Sequence, residues 1–173
     1  MTGLQTTQLC ADINLVVEGR KLDDDGAVLL KYNNGASGVL TATQIAAGEE
    51  NNIKIRVYGE KGGLEWQQND ANTLQLKYPD KPTEIWRTGA SYVSSFASHH
   101  TRTPAGHPEG YLEAFANLYR NFALTIKATL AGTSPTPEMI DFPGIKDGVR
   151  GMAFIENVIA SGRSTEKWTK FSI

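Results

Sequence analysis

Between positions 6 and 87, apolar residues tend to recur at every second position in short runs bounded by turn residues. That period places one row of side chains on each face of a strand and predicts an antiparallel meander. The clearest hairpin pairs residues 27–32 with 37–45 across Asn33, Asn34 and Gly35, which tolerate the positive φ of a tight turn. Ile53, Ile55 and Val57 then alternate with Lys54, Arg56 and Tyr58, and Glu60, Lys61, Gly62 and Gly63 turn the chain back into Leu64 and Trp66. Leu74, Leu76 and Tyr78 continue the alternation, and Pro79 to Pro82 lead into a last strand at 83–87.

After Pro108 the period lengthens. Tyr111, Phe115, Leu118, Tyr119, Phe122 and Ile126 fall three or four apart, on one face of a long amphipathic helix. Pro108 and Glu109 suit its first turn, and Gly132 is a plausible stop. A second helix is expected over 145–160, with Val149, Met152, Ala153, Ile155 and Ile159 on its buried side and Gly162 just past its end. The expected architecture is α+β: a two-layer sandwich, an open and mostly antiparallel sheet with helices packed on one face. Two stretches follow neither period. Residues 89–106 are expected to form an arm over a cleft or a neighbouring subunit, and residues 133–144, with Pro135, Pro137 and Pro143, a surface connection.

Composition narrows the function classes. The 173 residues, 40% apolar, suffice for one core and so one domain over 1–173. Seventeen Lys and Arg against 19 Asp and Glu give a net charge of -2 with no long run of either sign, which argues against nucleic acid and anionic membrane as partners. No apolar run approaches the roughly 20 residues of a membrane-spanning helix. Cys10 is the single cysteine, so no internal disulfide is available, and no leader-like segment precedes the first strand. The expected compartment is the cytoplasm.

Nucleotide and metal chemistry find no support in the residues. No Gly-x-Gly-x-x-Gly opens a helix after an apolar strand, no phosphate-cradling Gly-rich Lys-Ser/Thr motif occurs, and Cys10 has no second thiolate beside it. His99 and His100 are adjacent, so they cannot share a helix face as i, i+4 ligands do, and they read as solvated loop residues whose imidazoles remain able to move protons. Asp23, Asp24 and Asp25 lack the alternate spacing of a calcium loop and read as a solvated acidic turn. Trp66, Trp86 and Trp168 are expected to fill the core or an interface.

The segment from Arg102 to Tyr111 gathers a guanidinium, the His107 imidazole, the Glu109 carboxylate and a phenol around a helix N-terminus. Such groups can hydrogen-bond a hydroxylated substrate. They can equally serve the fold, with His107 as a cap, Glu109 opposite the helix dipole and Tyr111 packed on the sheet. Gln44 and Asn52 flank a Gly48-Glu49-Glu50 loop that could line a cleft.

Four blocks, in order, carry a resemblance. They are Gly35-Ala-x-Gly-Val-Leu-x-Ala-x-Gln44, Ile55-x-Val-Tyr-Gly-Glu-Lys-Gly-Gly-Leu-Glu-Trp66, Gly106-His-Pro-Glu-Gly-Tyr-Leu-Glu-Ala-Phe-Ala-Asn117 and Gly148-Val-Arg-Gly-Met-Ala-Phe-Ile-Glu156. Together they resemble the C-terminal domain of the glucose-fructose oxidoreductase, inositol dehydrogenase and rhizopine-catabolism (Gfo/Idh/MocA) family. The resemblance implies an N-terminal Rossmann domain that holds NAD or NADP, with a Lys of a Glu-Lys-Pro motif and a later His or Asp moving protons during hydride transfer. None of those positions has a match here; they would lie upstream of Met1, which is then expected either to fall inside a longer reading frame or to begin a deliberately cut piece. The expectation is a chain that binds no cofactor itself and supplies one wall of a sugar or cyclitol cleft. His107, Arg102, Glu109, Tyr111 and Gln44 are its expected substrate contacts. The resemblance also implies oligomerisation through the exposed sheet face, and the rival reading is a noncatalytic assembly module whose open sheet face pairs with another copy, where Thr41, Thr43, Lys54, Arg56, Gln75 and Lys77 serve either solvation or a homo-oligomer partner.

Overall fold

The alternating runs become strands β1 (Thr6–Asn14), β2 (Asp25–Tyr32), β3 (Ser37–Thr43), β4 (Lys54–Gly59), β5 (Gly62–Gln67), β6 (Thr73–Lys77) and β7 (Glu84–Arg87) in a computed structural model that describes residues 2–173. Three helices follow, α1 (Ser95–His99), α2 (Tyr111–Leu130) and α3 (Ile145–Gly162), and then a short strand β8 (Thr169–Lys170). The α+β class and the open antiparallel sheets agree with the sequence pattern. The strands do not form one sheet, however: they divide into β3-β2-β1-β8 and β4-β5-β6-β7. Alternation settles which side chains share a face, but it carries no information on which edge a strand joins. The chain falls into two compact units, one of residues up to Gly48 with Pro143–Ile173, the other Glu49–Phe142. No helix among the described residues is long and apolar enough to cross a membrane.

In the first unit Leu9, Val28 and Leu30 form the buried core, with Ala11, Tyr32, Phe154, Val158 and Phe171 packed around them. Helix α3 approaches β1 closely because it presents small residues there. Ser161 is buried and its Oγ accepts the Ala11 N–H at 3.1 Å, Ala153 is buried, and a Cβ at Gly162 would lie 2.5 Å from Ile13 Cγ1. The helix therefore runs through Gly162 instead of stopping before it. Ala153 is buried as expected, but Val149, Met152 and Ile155 are exposed. Close approach selected the Ala153–Ser161 stripe over the bulkier one.

The Asp23–Asp25 turn is not uniformly solvated either. Asp24 is 4% exposed, and its carboxylate accepts the Val16 and Val17 N–H groups at 2.8 and 3.0 Å while Arg20 lies 3.3 Å away. The two backbone donors, followed by Arg20, hold its pKa below the ordinary Asp value. A carboxylate with a depressed folded pKa contributes stability that is complete above the unfolded value of about 3.9 and is lost as pH falls through the folded one. Asp24→Ala is therefore expected to lower the melting temperature at pH 7, with the two proteins converging in strongly acidic solution. A difference that stayed constant with pH would show that the charge is not responsible.

In the second unit, Ile55, Trp66, Leu74 and Trp86 lie in register across all four strands, as do Val57, Leu64 and Leu76 across three. These rows share one face. The opposite face carries Arg56, Glu65, Gln75 and Lys77, with Lys77 paired to Glu65. Trp66 donates its indole N–H to the Ala71 carbonyl at 2.9 Å, fixing the β5–β6 connection.

Helix α2 reverses the expectation drawn from its period. Its buried positions are Asn117 and Asn121, whereas Tyr111, Phe115, Tyr119, Phe122 and Ile126 are exposed. Asn117, Asn121 and Thr125 form an i, i+4 stripe that bonds to α1 and to the 136–142 segment, and these polar contacts orient the helix with its aromatic stripe outward.

Candidate loop at the start of helix 2

Residues 101–110 join α1 to α2 and carry most of the polar groups singled out from the sequence. The loop is closed by Glu109. Its Oε2 accepts the Arg102 N–H at 2.8 Å, the Thr103 N–H at 2.7 Å and the Thr103 hydroxyl at 2.9 Å. Glu109 thus organises the loop from within, and it lies before the helix instead of in its first turn. The first-turn acid is Glu113, whose Oε2 accepts the Gly110 N–H at 2.8 Å and whose pKa is lowered chiefly by that bond. Asn72, in the β5–β6 connection, ties the loop to the sheet by donating to the His107 carbonyl at 2.9 Å.

His107 is exposed at the loop tip, beside Gly106 with its φ of 83°. Its Nδ1 lies 3.2 Å from the Pro104 carbonyl, which can only accept, so Nδ1 carries the proton. Nε2 of the neutral ring is then an acceptor, suited to receive a hydroxyl proton. Arg102 is also exposed, and its guanidinium is bonded to the His99 carbonyl at the end of α1. Tyr111 is the first residue of α2, exposed and in tilted ring contact with Phe115 at a centroid distance of 4.8 Å, not packed on the sheet. The loop thus carries Arg102, His107 and Glu109, of which Glu109 is bonded to the Arg102 backbone, and Tyr111 follows it as the first residue of α2. Gln44 lies in the other unit, where its backbone N–H donates to the Asp24 carbonyl at 2.8 Å.

The sequence reading missed the support of this loop. His99 and His100 are not solvated loop residues: both are partly buried, at and just beyond the end of α1, and both bond to Asn121. The available signal was the Asn117, Asn121 and Thr125 spacing, a polar i, i+4 stripe of weak helix formers in an otherwise aromatic helix. Among the described residues no group of three or more His, Cys, Asp or Glu converges to hold a metal. The Gly59-Glu-Lys-Gly-Gly63 run closes an antiparallel hairpin between β4 and β5, so it does not open a helix whose N–H groups could face a pyrophosphate.

The family described as "Oxidoreductase family, C-terminal alpha/beta domain" matches residues 5–171. An uncharacterized oxidoreductase of Bacillus subtilis (strain 168), YfiI, is 31% identical over 163 residues, which are 94% of this chain and 42% of the relative. An oxidoreductase from Sinorhizobium meliloti is 40% identical with a TM-score of 0.90, covering 98% of this chain and 47% of that structure. An inositol dehydrogenase homolog from Azotobacter vinelandii, complexed with NADH and myo-inositol, is 29% identical with a TM-score of 0.88, covering 98% of this chain and 45% of that one. The chain thus spans less than half the length of each of these proteins.

Proposed function

We propose, because this chain belongs to the Gfo/Idh/MocA oxidoreductase family as a C-terminal alpha/beta domain, that it is the substrate-side half of an NAD(P)-dependent oxidoreductase acting on a sugar or cyclitol hydroxyl. One observation carries this reading: a loop stapled from within by Glu109 presents the His107 imidazole and the Arg102 guanidinium at its surface. The Azotobacter neighbour, with myo-inositol and NADH, supports the substrate class. In this reading His107 accepts a substrate hydroxyl hydrogen through Nε2, Arg102 and the Tyr111 phenol supply donors, and Glu109 sets the loop conformation. NAD or NADP would supply the hydride acceptor from an N-terminal half, and no step of that transfer is assigned to these residues. A cytoplasmic setting accompanies the reading.

The test is a titration of the chain with myo-inositol and with hexoses, followed by amide chemical shifts. Shifts are expected at residues 101–111 and are expected to vanish in His107→Ala, while NADH produces neither shifts nor turnover. Polyol-induced shifts confined to other segments, or micromolar dinucleotide binding, would overturn the assignment.

A second role rests on its own observation. Cys10, Leu29 and Val39 lie in register across β1, β2 and β3 on the face away from α3, with Leu29 43% and Val39 70% exposed. We read this row as a contact with a second copy of the chain. Thr41 and Thr43 belong to the same sheet, whereas Lys54, Arg56, Gln75 and Lys77 belong to the other, so the single contact face expected from sequence is divided. Light scattering is expected to show a dimer or larger species that Val39→Lys reduces to monomer; a wild-type monomer at high concentration removes this role.

A further inference from the structure

We propose that Asn121 is a positioning residue for the 101–110 loop, holding His99 and His100 in opposite tautomers through one side-chain amide. Asn121 has no exposed surface, and it lies midway along α2. Its Oδ1 is 3.0 Å from His99 Nε2, and its Nδ2 is 3.1 Å from His100 Nε2 and 3.2 Å from the Asp141 carbonyl. A backbone carbonyl can only accept, so Nδ2 must face it, and this fixes the orientation of the whole amide. Oδ1 then faces His99 Nε2, which must carry a proton to bond to it. At His100 the Nδ1 atom lies 2.8 Å from the Phe96 carbonyl and must be the protonated nitrogen. Nε2 of the neutral His100 ring is left to accept from Asn121.

The charged neighbours sharpen this assignment. Arg120 Nη1 reaches His99 Nε2 at 2.9 Å, a donor meeting a donor in this tautomer. Arg120 is exposed, so it is the partner able to move. Asp141 Oδ2 stands 3.1 Å from His100 Nε2, an acceptor beside an acceptor in this tautomer, and Asp141, like Arg120, is exposed and able to move.

The anchor reaches the candidate substrate groups through the backbone. Asn117 Nδ2 donates to the His100 carbonyl at 2.6 Å, and the His99 carbonyl accepts the Arg102 guanidinium. Shifting the histidine pair therefore shifts the end of α1 and Arg102 with it. The inference goes beyond the substrate reading and needs no ligand, so the two can fail separately.

The experiment is nitrogen-resolved spectroscopy of the imidazoles in the whole chain, together with hydrogen exchange over residues 98–110. The expected wild-type pattern is His99 protonated at Nε2 and His100 at Nδ1. In Asn121→Ala, exchange across the loop is expected to rise about tenfold or more, as for a segment released from its anchor, and His99 loses its fixed tautomer. Asn121→Asp keeps the size but offers acceptors only, so the Asp141 carbonyl loses its donor and His100 is expected to carry a proton on Nε2. A residue that merely fills space would leave both rings unchanged in Asn121→Asp. That outcome overturns the proposal even if Asn121→Ala proves too unstable to study, and so does loop exchange in Asn121→Ala within twofold of wild type.

Discussion

Leu9→Ala is expected to destabilise the first unit by about 2–5 kcal/mol, the range for truncating a fully buried leucine. Leu9 has no exposed surface and sits between Val28, Leu30 and the Phe154–Val158 side of α3, so the missing methyl groups leave a cavity that three strands and a helix cannot readily close. The buried apolar core of this unit is small. A loss of that size consumes a large part of the about 5–15 kcal/mol that keeps a typical domain folded. Denaturant unfolding read by hydrogen exchange at β1 and β2 checks it. The counterpart is Tyr119→Ala, which the helix period alone would rank as an equally severe core truncation. Tyr119 is 72% exposed, and its substitution is expected to stay within about 0.5 kcal/mol of wild type. Equal losses in the two variants would contradict the orientation of α2.

Gly62→Ala carries the second large effect, about 2–4 kcal/mol from backbone strain and overpacking together. Gly62 begins β5 opposite Gly59, and a Cβ there would run into the Lys77 carbonyl oxygen of β6, a backbone atom with no rotamer to relieve the contact. The β5–β6 pairing between Gly63 and Lys77 must open to admit it. Gly106→Ala provides the comparison. Its φ of 83° disfavours a side chain, but a Cβ would meet nothing within 4 Å, so only the conformational cost of about 1 kcal/mol is expected. Melting temperatures of the two variants separate steric closure from backbone preference, and similar values would show that the Lys77 contact does not matter.

The candidate site was partly legible in the sequence. Loop residues with polar side chains announce themselves by composition: Arg102, His107 and Tyr111 are accessible, His107 and Tyr111 at the start of α2 and Arg102 beside the end of α1. Glu109 was legible as a residue but not as a staple, since its partners are backbone N–H groups that every residue possesses. His99, His100 and Asn121 show the same gap in a stronger form. Their importance comes from distances of about 3 Å between groups that stand 21 to 22 positions apart, and no local pattern encodes such a meeting.

By itself the sequence determined the elements: the period-two runs became β2 to β7, the lengthened period became α2 and α3, and Asn34-Gly35 marked the β2–β3 turn. It also determined the family, through four ordered blocks that the match over residues 5–171 bears out. Only the tertiary structure decided that the strands form two sheets, that α3 buries Ala153 and Ser161 in preference to Val149 and Met152, and that α2 turns its asparagines inward. The physical reason is common to all three. Periodicity is a property of one segment and states which residues share a face, whereas the choice between two available faces or two free edges depends on the shape and unpaired hydrogen-bonding groups of whatever segment arrives opposite.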